Sequence, residues 1–211
     1  MFVVYIRYMG TKDRKEREKE ELKGLILKAA KEIFFEKGYA QTSIRNIADR
    51  IEYSPGTIYL HFKDKDSIFH ALQQEGFMLL RQQFGVLQVV ADPFERLKAM
   101  GKLYLNFAME NPEYYDLMFV IRAPMNVLEA EACWDEGQTA FNVLVQVVQA
   151  CIEQGHFKGY DTEEMAYVIW STVHGMATIS IRGRCRVISD EKRETIETLG
   201  YDTFVQMLNC M

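Results

Sequence analysis

Two very short helix-forming segments between residues 42 and 60, with only a few residues between them, constrain the fold most. Thr42 and Ser43 precede the first segment, and either side chain can cap a helix because its oxygen accepts an unpaired backbone N–H. Ser54 and Pro55 open the second segment, since proline suits the first helical position. Two short helices joined this closely must cross steeply, which predicts a helix-turn-helix.

The second segment, about residues 55–60, is too short and too weakly amphipathic to serve mainly in core packing. Gly56 and Thr57 give it a slim leading end that can approach the floor of a DNA major groove. Four side chains that can donate to phosphate oxygens follow: Tyr59, His61, Lys63 and Lys65. The same local pattern also fits a surface turn between two packed helices, so it does not separate these alternatives.

A longer set of motifs extends this pattern and is specific. It comprises Gly38-Tyr39, the run from Thr42 to Ala48, the run from Ser54 to Phe62, and Lys65 in frame. From about Leu25 to Leu72 the chain resembles the N-terminal DNA-binding domain of TetR-family transcriptional regulators. The resemblance implies a dimeric, ligand-responsive regulator, usually a repressor. The residues expected to contact DNA are Thr42, Ser43, Arg45, Ser54, Pro55, Gly56, Thr57, Tyr59, His61, Lys63 and Lys65.

The net charge of −5 does not by itself suggest a DNA-binding protein, but the charge is unevenly distributed. Residues 1–65 hold 14 Lys and Arg against 10 Asp and Glu, whereas residues 66–211 hold 11 against 20. Contact with phosphates needs local positive charge rather than a basic whole chain. The distribution favours DNA contact by the N-terminal part and disfavours non-specific wrapping of DNA.

The composition favours an all-α fold, because only 4 Pro and 13 Gly occur among 211 residues and 48% are hydrophobic. We expect about nine helices, arranged as an N-terminal three-helix helix-turn-helix domain and a C-terminal helical bundle. The predicted domains are residues 12–66 for DNA binding and 67–211 for ligand sensing and dimerisation. Residues 1–11 are expected to be a disordered arm or an over-extension of the gene start. The helices are expected at about 12–37, 44–51, 55–60, 67–90, 92–110, 112–121, 126–154 and 161–183, with a last helical region from Ser189 interrupted at Gly200.

The four cysteines are Cys133, Cys151, Cys185 and Cys210, and none has the spacing of a C-x-x-C motif or a zinc finger. They are expected to be reduced thiols in a cytoplasmic protein. We expect no metal, no cofactor and no membrane partner. The sequence carries none of the common phosphate-loop, dinucleotide or hydrolase motifs, which makes an enzyme the minor alternative. The other alternative is an architectural DNA-binding protein that senses no ligand.

Aromatic and methionine side chains are frequent between residues 100 and 180. Such side chains are usually plain core, but helical bundles also use them to line ligand cavities. If a cavity exists, we expect an apolar or amphipathic small molecule. The chosen lining residues are Tyr104, Phe107, Met118, Phe119, Arg122, Trp134, Phe141, Trp170 and His174.

The segment from Trp170 to Gly175 leaves two points open. His174 is either a ligand hydrogen-bonding group or a core histidine paired with a neighbouring helix. The segment also resembles the signature of a Trp-His-Gly subclass of the family, although here the aromatic residue lies four positions before His174. Small residues at Ser171, Gly175 and Thr178 would let another helix approach closely. A homodimer is therefore expected to form through residues 161–183 and 189–210, and to bind a palindromic operator.

Overall fold

A computed structural model describes residues 11–122 and 135–211, and every regular element in these two ranges is helical. The predicted all-α fold is confirmed. The predicted N-terminal arm and Trp134 lie almost entirely outside the described residues, as only residue 11 of the arm is included. The ten α-helices of the described ranges are α1 (Thr11–Lys37), α2 (Ile44–Arg50), α3 (Pro55–Tyr59), α4 (Lys65–Gly85), α5 (Pro93–Glu110), α6 (Pro112–Phe119), α7 (Asp135–Glu153), α8 (Thr162–Ile181), α9 (Asp190–Arg193) and α10 (Ile196–Asn209).

The chain divides into two compact units, the first ending at Leu72 and the second beginning at Gln73. This division and the predicted domain boundary between residues 66 and 67 both lie within α4. The first unit contains α1 to α3 and the beginning of α4. The second contains the remainder of α4 and the helices from α5 onward.

Each helix of the N-terminal unit contributes a buried side chain to its core. Ile33 of α1, Ile47 of α2, Ile58 of α3 and Phe69 of α4 are all at most 2% exposed. Burial of this kind contributes most of the stability of such short helices, because isolated helices of one or two turns do not persist in water. The core therefore fixes how α2 and α3 pack against each other.

The ends of α1, α2 and α3 follow from local chemistry. Gly38 ends α1 in the left-handed region, with φ of 77° and its N–H bonded to the Phe34 carbonyl at 2.7 Å. Ser43 Oγ accepts the Asn46 N–H at 3.1 Å, and Ser54 Oγ accepts the Thr57 N–H at 3.2 Å. These bonds confirm the predicted end of α1 and the serine caps of α2 and α3.

Two features of this unit were not predicted. Arg50 at the end of α2 pairs with Glu36 and Glu32 of α1, at 3.0 and 3.2 Å. Glu52, in the turn between α2 and α3, has φ of 59°. A non-glycine residue in this region costs roughly 1–2 kcal/mol, and the surrounding packing must supply that energy.

In the C-terminal unit, α5 packs against both α7 and α8, and these two helices also pack against each other. Asp92 caps α5 by accepting the Glu95 N–H at 2.8 Å. Asp161 caps α8 by accepting the N–H groups of Glu163 and Glu164 at 2.9 and 3.0 Å. Both helix starts were predicted from the sequence and are confirmed.

Three predicted helix ends were wrong. The α-helical part of α4 stops at Gly85, and residues 86–89 continue as a 3₁₀ turn. Helix α6 ends at Phe119 rather than near residue 121. The break in the last region falls at Glu194 and Thr195, and Gly200 lies inside α10. A helix interior tolerates one glycine at about 1 kcal/mol relative to alanine, which tertiary packing outweighs here.

Candidate nucleic-acid interface and ligand cavity

Helix α3 presents its leading end to solvent. Ile58 is fully buried and anchors the helix, whereas Tyr59 is 56% exposed. Ser54, Pro55 and Gly56 are exposed around the N-terminus of the helix. A short helix held from behind in this way can enter a groove without uncovering its core.

The residues predicted to contact DNA differ in accessibility. Arg45 of α2 and Lys63 after α3 are exposed, and Ser43, Thr57 and His61 are partly buried. Thr42 is only 1% exposed, and its hydroxyl donates to the Gly38 carbonyl at 2.9 Å. The Thr42 side chain is therefore used inside the unit, and a DNA contact at this position stays a prediction.

Lys65 lies at the first position of α4 and is partly buried. Its Nζ donates to the Tyr39 carbonyl at 2.9 Å and lies 3.7 Å from the centre of the Tyr39 ring. Burial lowers the pKa of Lys65. Burial and the hydrogen bond to Asp66 raise the pKa of the Tyr39 hydroxyl. These contacts hold the ammonium group at the N-terminus of α4.

The C-terminal unit contains a cavity of about 250 Å³ bounded by α4, α5, α6, α7, α8 and α10. Its wall is made almost entirely of apolar and aromatic side chains. Four of the nine predicted lining residues belong to it: Tyr104, Phe119, Phe141 and Trp170. The cavity exceeds the roughly 150 Å³ space that can hold a benzene molecule.

The other predicted lining residues lie elsewhere. Phe107 and Met118 are at most 2% exposed and belong to the core rather than to the cavity wall. Arg122 is exposed and does not line the cavity, and Trp134 lies outside the described residues. The apolar periodicity that includes Phe107 and Met118 does not distinguish a core position from a cavity position.

His174 lies behind Tyr104 and does not itself line the cavity. Its Nδ1 is 2.9 Å from the Tyr104 hydroxyl and 2.9 Å from that of Tyr115. The Tyr115 hydroxyl also lies 2.8 Å from Thr178 Oγ1. Burial lowers the pKa of His174, which favours the neutral imidazole. This geometry supports the core-histidine interpretation, in which the ring orients Tyr104.

This environment predicts a pH-dependent stability. An unfolded histidine titrates near 6.5, so the His174 contribution is complete above that pH and is lost as the pH falls through its lower folded pKa. We expect the melting temperature to decrease between about pH 8 and about pH 5 and the decrease to be smaller in His174→Gln. Equal curves for the wild type and His174→Gln would contradict the prediction.

Sequence reasoning missed a close contact at the cavity wall. The Tyr201 hydroxyl of α10 donates to the Lys98 carbonyl of α5 at 2.6 Å. A Cβ at Gly101 would lie 2.4 Å from that hydroxyl, so only glycine allows this approach. A glycine in the middle of an amphipathic helix was the available signal, since such a residue often marks a close packing contact.

In residues 11–122 and 135–211, no three or more His, Cys, Asp or Glu side chains are grouped to hold a metal ion. No helix of these ranges combines the length and apolar character needed to cross a bilayer.

Comparison with known families gives two matches. Residues 26–72 match the family described as bacterial regulatory proteins, tetR family. Residues 97–200 match a tetracyclin repressor-like C-terminal domain. Neither match identifies the Trp-His-Gly subclass, which stays a prediction.

Individual proteins are similar over parts of the chain. The transcriptional activator FasR of Mycolicibacterium smegmatis is 30% identical over 102 residues, which are 48% of this chain and 47% of that protein. The probable acrEF/envCD operon repressor of Escherichia coli is 30% identical over 129 residues, or 58% of each chain. The chain therefore spans about half the length of the curated relatives that it matches.

Solved structures share the fold over most of the chain. A Rhodococcus protein of unknown function has a TM-score of 0.70 at 22% identity, covering 97% of this chain and 99% of that one. The fatty acid degradation regulator FadR of Bacillus halodurans has a TM-score of 0.66 at 20% identity, covering 84% and 93%. With its helix-turn-helix unit and its C-terminal helical unit each matched, the chain belongs to the TetR family of transcriptional regulators.

Proposed function

We propose that this regulator is a repressor that binds a palindromic operator as a homodimer and is released by a small apolar or amphipathic ligand. The observation that carries the proposal is the exposed leading end of α3, held from behind by the buried Ile58. The cavity in the other unit supports ligand control, because a well-packed core leaves few voids larger than a water molecule. The relatives include an activator and a repressor. We choose repression because the family resemblance usually implies a repressor.

In the proposed complex, Gly56 and Thr57 approach the base edges, and surrounding side chains contact phosphates. Tyr59, Lys63 and Arg45 are exposed and suited to phosphate contact. Lys65 would reach a phosphate from the N-terminus of α4, where the backbone dipole also favours an anion. His61 has a buried Nδ1 without a hydrogen-bond partner in the described structure, so its other ring nitrogen is the one available to DNA.

We place the dimer interface on α8 and α10. Along one face of α8, Val168 and Ile179 are 53% and 49% exposed, with Gly175 between them. On α10, Leu199 and Met207 are 53% and 63% exposed. Apolar side chains at helical spacing that stay exposed in one protomer suit burial against a two-fold partner. Four helices would then form an isologous interface.

The ligand class is supported by the cavity wall. Structural neighbours of the chain include a fatty acid degradation regulator and a putative fatty acid metabolism regulator. At identities of 20% and 16% these neighbours share only the fold. An apolar wall with few polar groups takes an apolar or amphipathic molecule by its own chemistry.

An architectural protein without ligand sensing is the second candidate function, and an enzyme is the third. The 250 Å³ cavity argues against the architectural protein, because a DNA-packaging role gives no reason for such a space. A cytoplasmic location follows from the proposed role at an operator.

The direct test selects binding sites for the wild-type chain from random DNA, which should yield a near-palindrome with half-sites about one helical turn apart. We expect Lys65→Ala to weaken binding to all sequences similarly. The slope of log K against log salt should become shallower by about one. Lys102→Ala removes the same charge from an exposed position on α5 of the C-terminal unit and should leave the slope unchanged.

Melting curves must accompany this comparison, because Lys65 also contacts Tyr39. A folded Lys65→Ala variant with the wild-type salt slope would remove Lys65 from the interface. A selected site without two-fold symmetry would contradict the proposed dimeric operator.

A further inference from the structure

The cavity has one charged lining residue among those the structure describes, and this residue is Lys98 of α5. The Lys98 side chain is 29% exposed, and its Nζ lies 5.5 Å from the centre of the Phe94 ring. The stem is packed against apolar surface and the charge stands at the edge, as long basic side chains commonly do. The cavity therefore has a cationic edge and an apolar interior.

The hydroxyl groups of two wall residues, Tyr104 and Tyr201, are already used within the protein. The Tyr104 hydroxyl is 2.9 Å from His174 Nδ1. The Tyr201 hydroxyl donates to the Lys98 carbonyl at 2.6 Å. A ligand therefore meets little unused hydrogen-bonding capacity on these two residues, and a polar group buried beside them would lose its hydration without compensation.

The present partner of Lys98 is weakly held. Glu95 lies one turn earlier on α5, pairs with Lys98 and has a 59% exposed side chain. Exposed pairs of this kind contribute little to stability. An anion placed on the cavity side of Lys98 would interact through a less polar medium than the Glu95 carboxylate does, and the attraction would be stronger.

We propose that the cavity binds a monocarboxylate amphiphile, with its carboxylate at Lys98 and its hydrocarbon body against the aromatic wall near Trp170. The inference rests on the proposed role of this cavity as the effector site. The volume of about 250 Å³ suits a body larger than benzene and lies just below the usual range of roughly 300–1,000 Å³ for drug-sized ligands. Straight-chain acids of medium length are larger than benzene and smaller than most drug-sized ligands.

The experiment is calorimetry on the full chain without DNA. The probes are decanoate, the neutral decanol and the cationic decyltrimethylammonium, which share one hydrocarbon body and differ in the charge of the head group. The protein variants are Lys98→Met, which keeps an apolar stem, and Lys98→Gln. Lys102→Met is the matched control, because Lys102 is an exposed lysine one turn later on α5 that does not line the cavity.

The wild type should bind decanoate most tightly. Both Lys98 variants should lose about ten- to hundredfold in affinity for decanoate and keep their affinity for decanol, since a charge-assisted hydrogen bond is lost. Lys102→Met should behave as the wild type. Melting curves confirm that each variant is folded, and the two different replacements guard against a failure peculiar to one of them.

Decanoate binding that is unchanged in both folded Lys98 variants would overturn the assignment of Lys98. Equal or tighter binding of decanol or decyltrimethylammonium by the wild type would overturn the carboxylate class while leaving the cavity a ligand site. Absence of binding by all three probes would also overturn the proposal. The regulator proposal is tested separately, because the operator selection uses no ligand.

Discussion

Replacing Gly175 of α8 with arginine should convert the dimer into a monomer and weaken operator binding by about a hundredfold or more. A Cβ at Gly175 would meet nothing within 4 Å, so the protomer itself can accept a side chain there. In the proposed interface the added guanidinium would lie between Val168 and Ile179, against the other protomer. It would lose its hydration there without gaining an opposite charge. Loss of the second recognition helix removes the gain from two linked contacts, which is typically 10²- to 10⁴-fold.

Sedimentation or light scattering at micromolar concentration measures the first effect, and titration of a two-half-site operator measures the second. Gly85→Arg is the matched control, because a Cβ at Gly85 also meets nothing within 4 Å and the residue lies at the exposed end of α4. It adds the same charge outside the proposed interface and should leave the dimer intact. A Gly175→Arg variant that remains a dimer would place the interface elsewhere.

The parts of the fold that were predicted correctly depend on local chemistry. Ser54 followed by Pro55 determines where α3 begins, and Asp161 determines where α8 begins, through bonds between residues at most three positions apart. Gly38 ends α1 for the equally local reason that glycine adopts a positive φ at little cost. Such signals are read correctly without knowledge of the tertiary structure.

The cavity wall could be predicted only in part because it depends on how distant helices meet. Phe107 and Phe119 are both aromatic residues of amphipathic segments, yet only Phe119 faces the cavity. Tyr201 was missed because its partner on α5 is about a hundred residues away and the contact needs the missing side chain of Gly101. The sequence also did not reveal that the Thr42 hydroxyl bonds to the Gly38 carbonyl.

Filling the cavity should abolish the response to ligand while sparing operator affinity. Ala140 of α7 lines the cavity and is partly buried, so Ala140→Trp would place an indole in the space that a ligand needs. Thr139→Trp is the matched control, since Thr139 is exposed and adjacent but does not line the cavity. We expect Ala140→Trp to bind operator within a few-fold of the wild type and to lose measurable ligand affinity, whereas Thr139→Trp should retain both activities.

The reason why ligand and operator should oppose each other lies in α4. Its residues Phe77, Leu80 and Phe84 line the cavity, and its first residues, from Lys65, belong to the DNA-binding unit. A ligand that shifts the cavity end of α4 would move the recognition helices away from the spacing that the operator requires. It can do so only by binding the shifted conformation more tightly than the DNA-competent one.

By linkage, operator DNA must then weaken ligand binding by the same factor by which ligand weakens operator binding, typically 5- to 150-fold. Calorimetric titration of the protein with ligand, with and without saturating operator, measures this factor. Ala140→Trp, which is expected not to bind ligand, supplies the baseline of the titration. Equal ligand affinity with and without operator, in a wild type that binds both, would leave a DNA-binding dimer whose cavity has no part in its regulation.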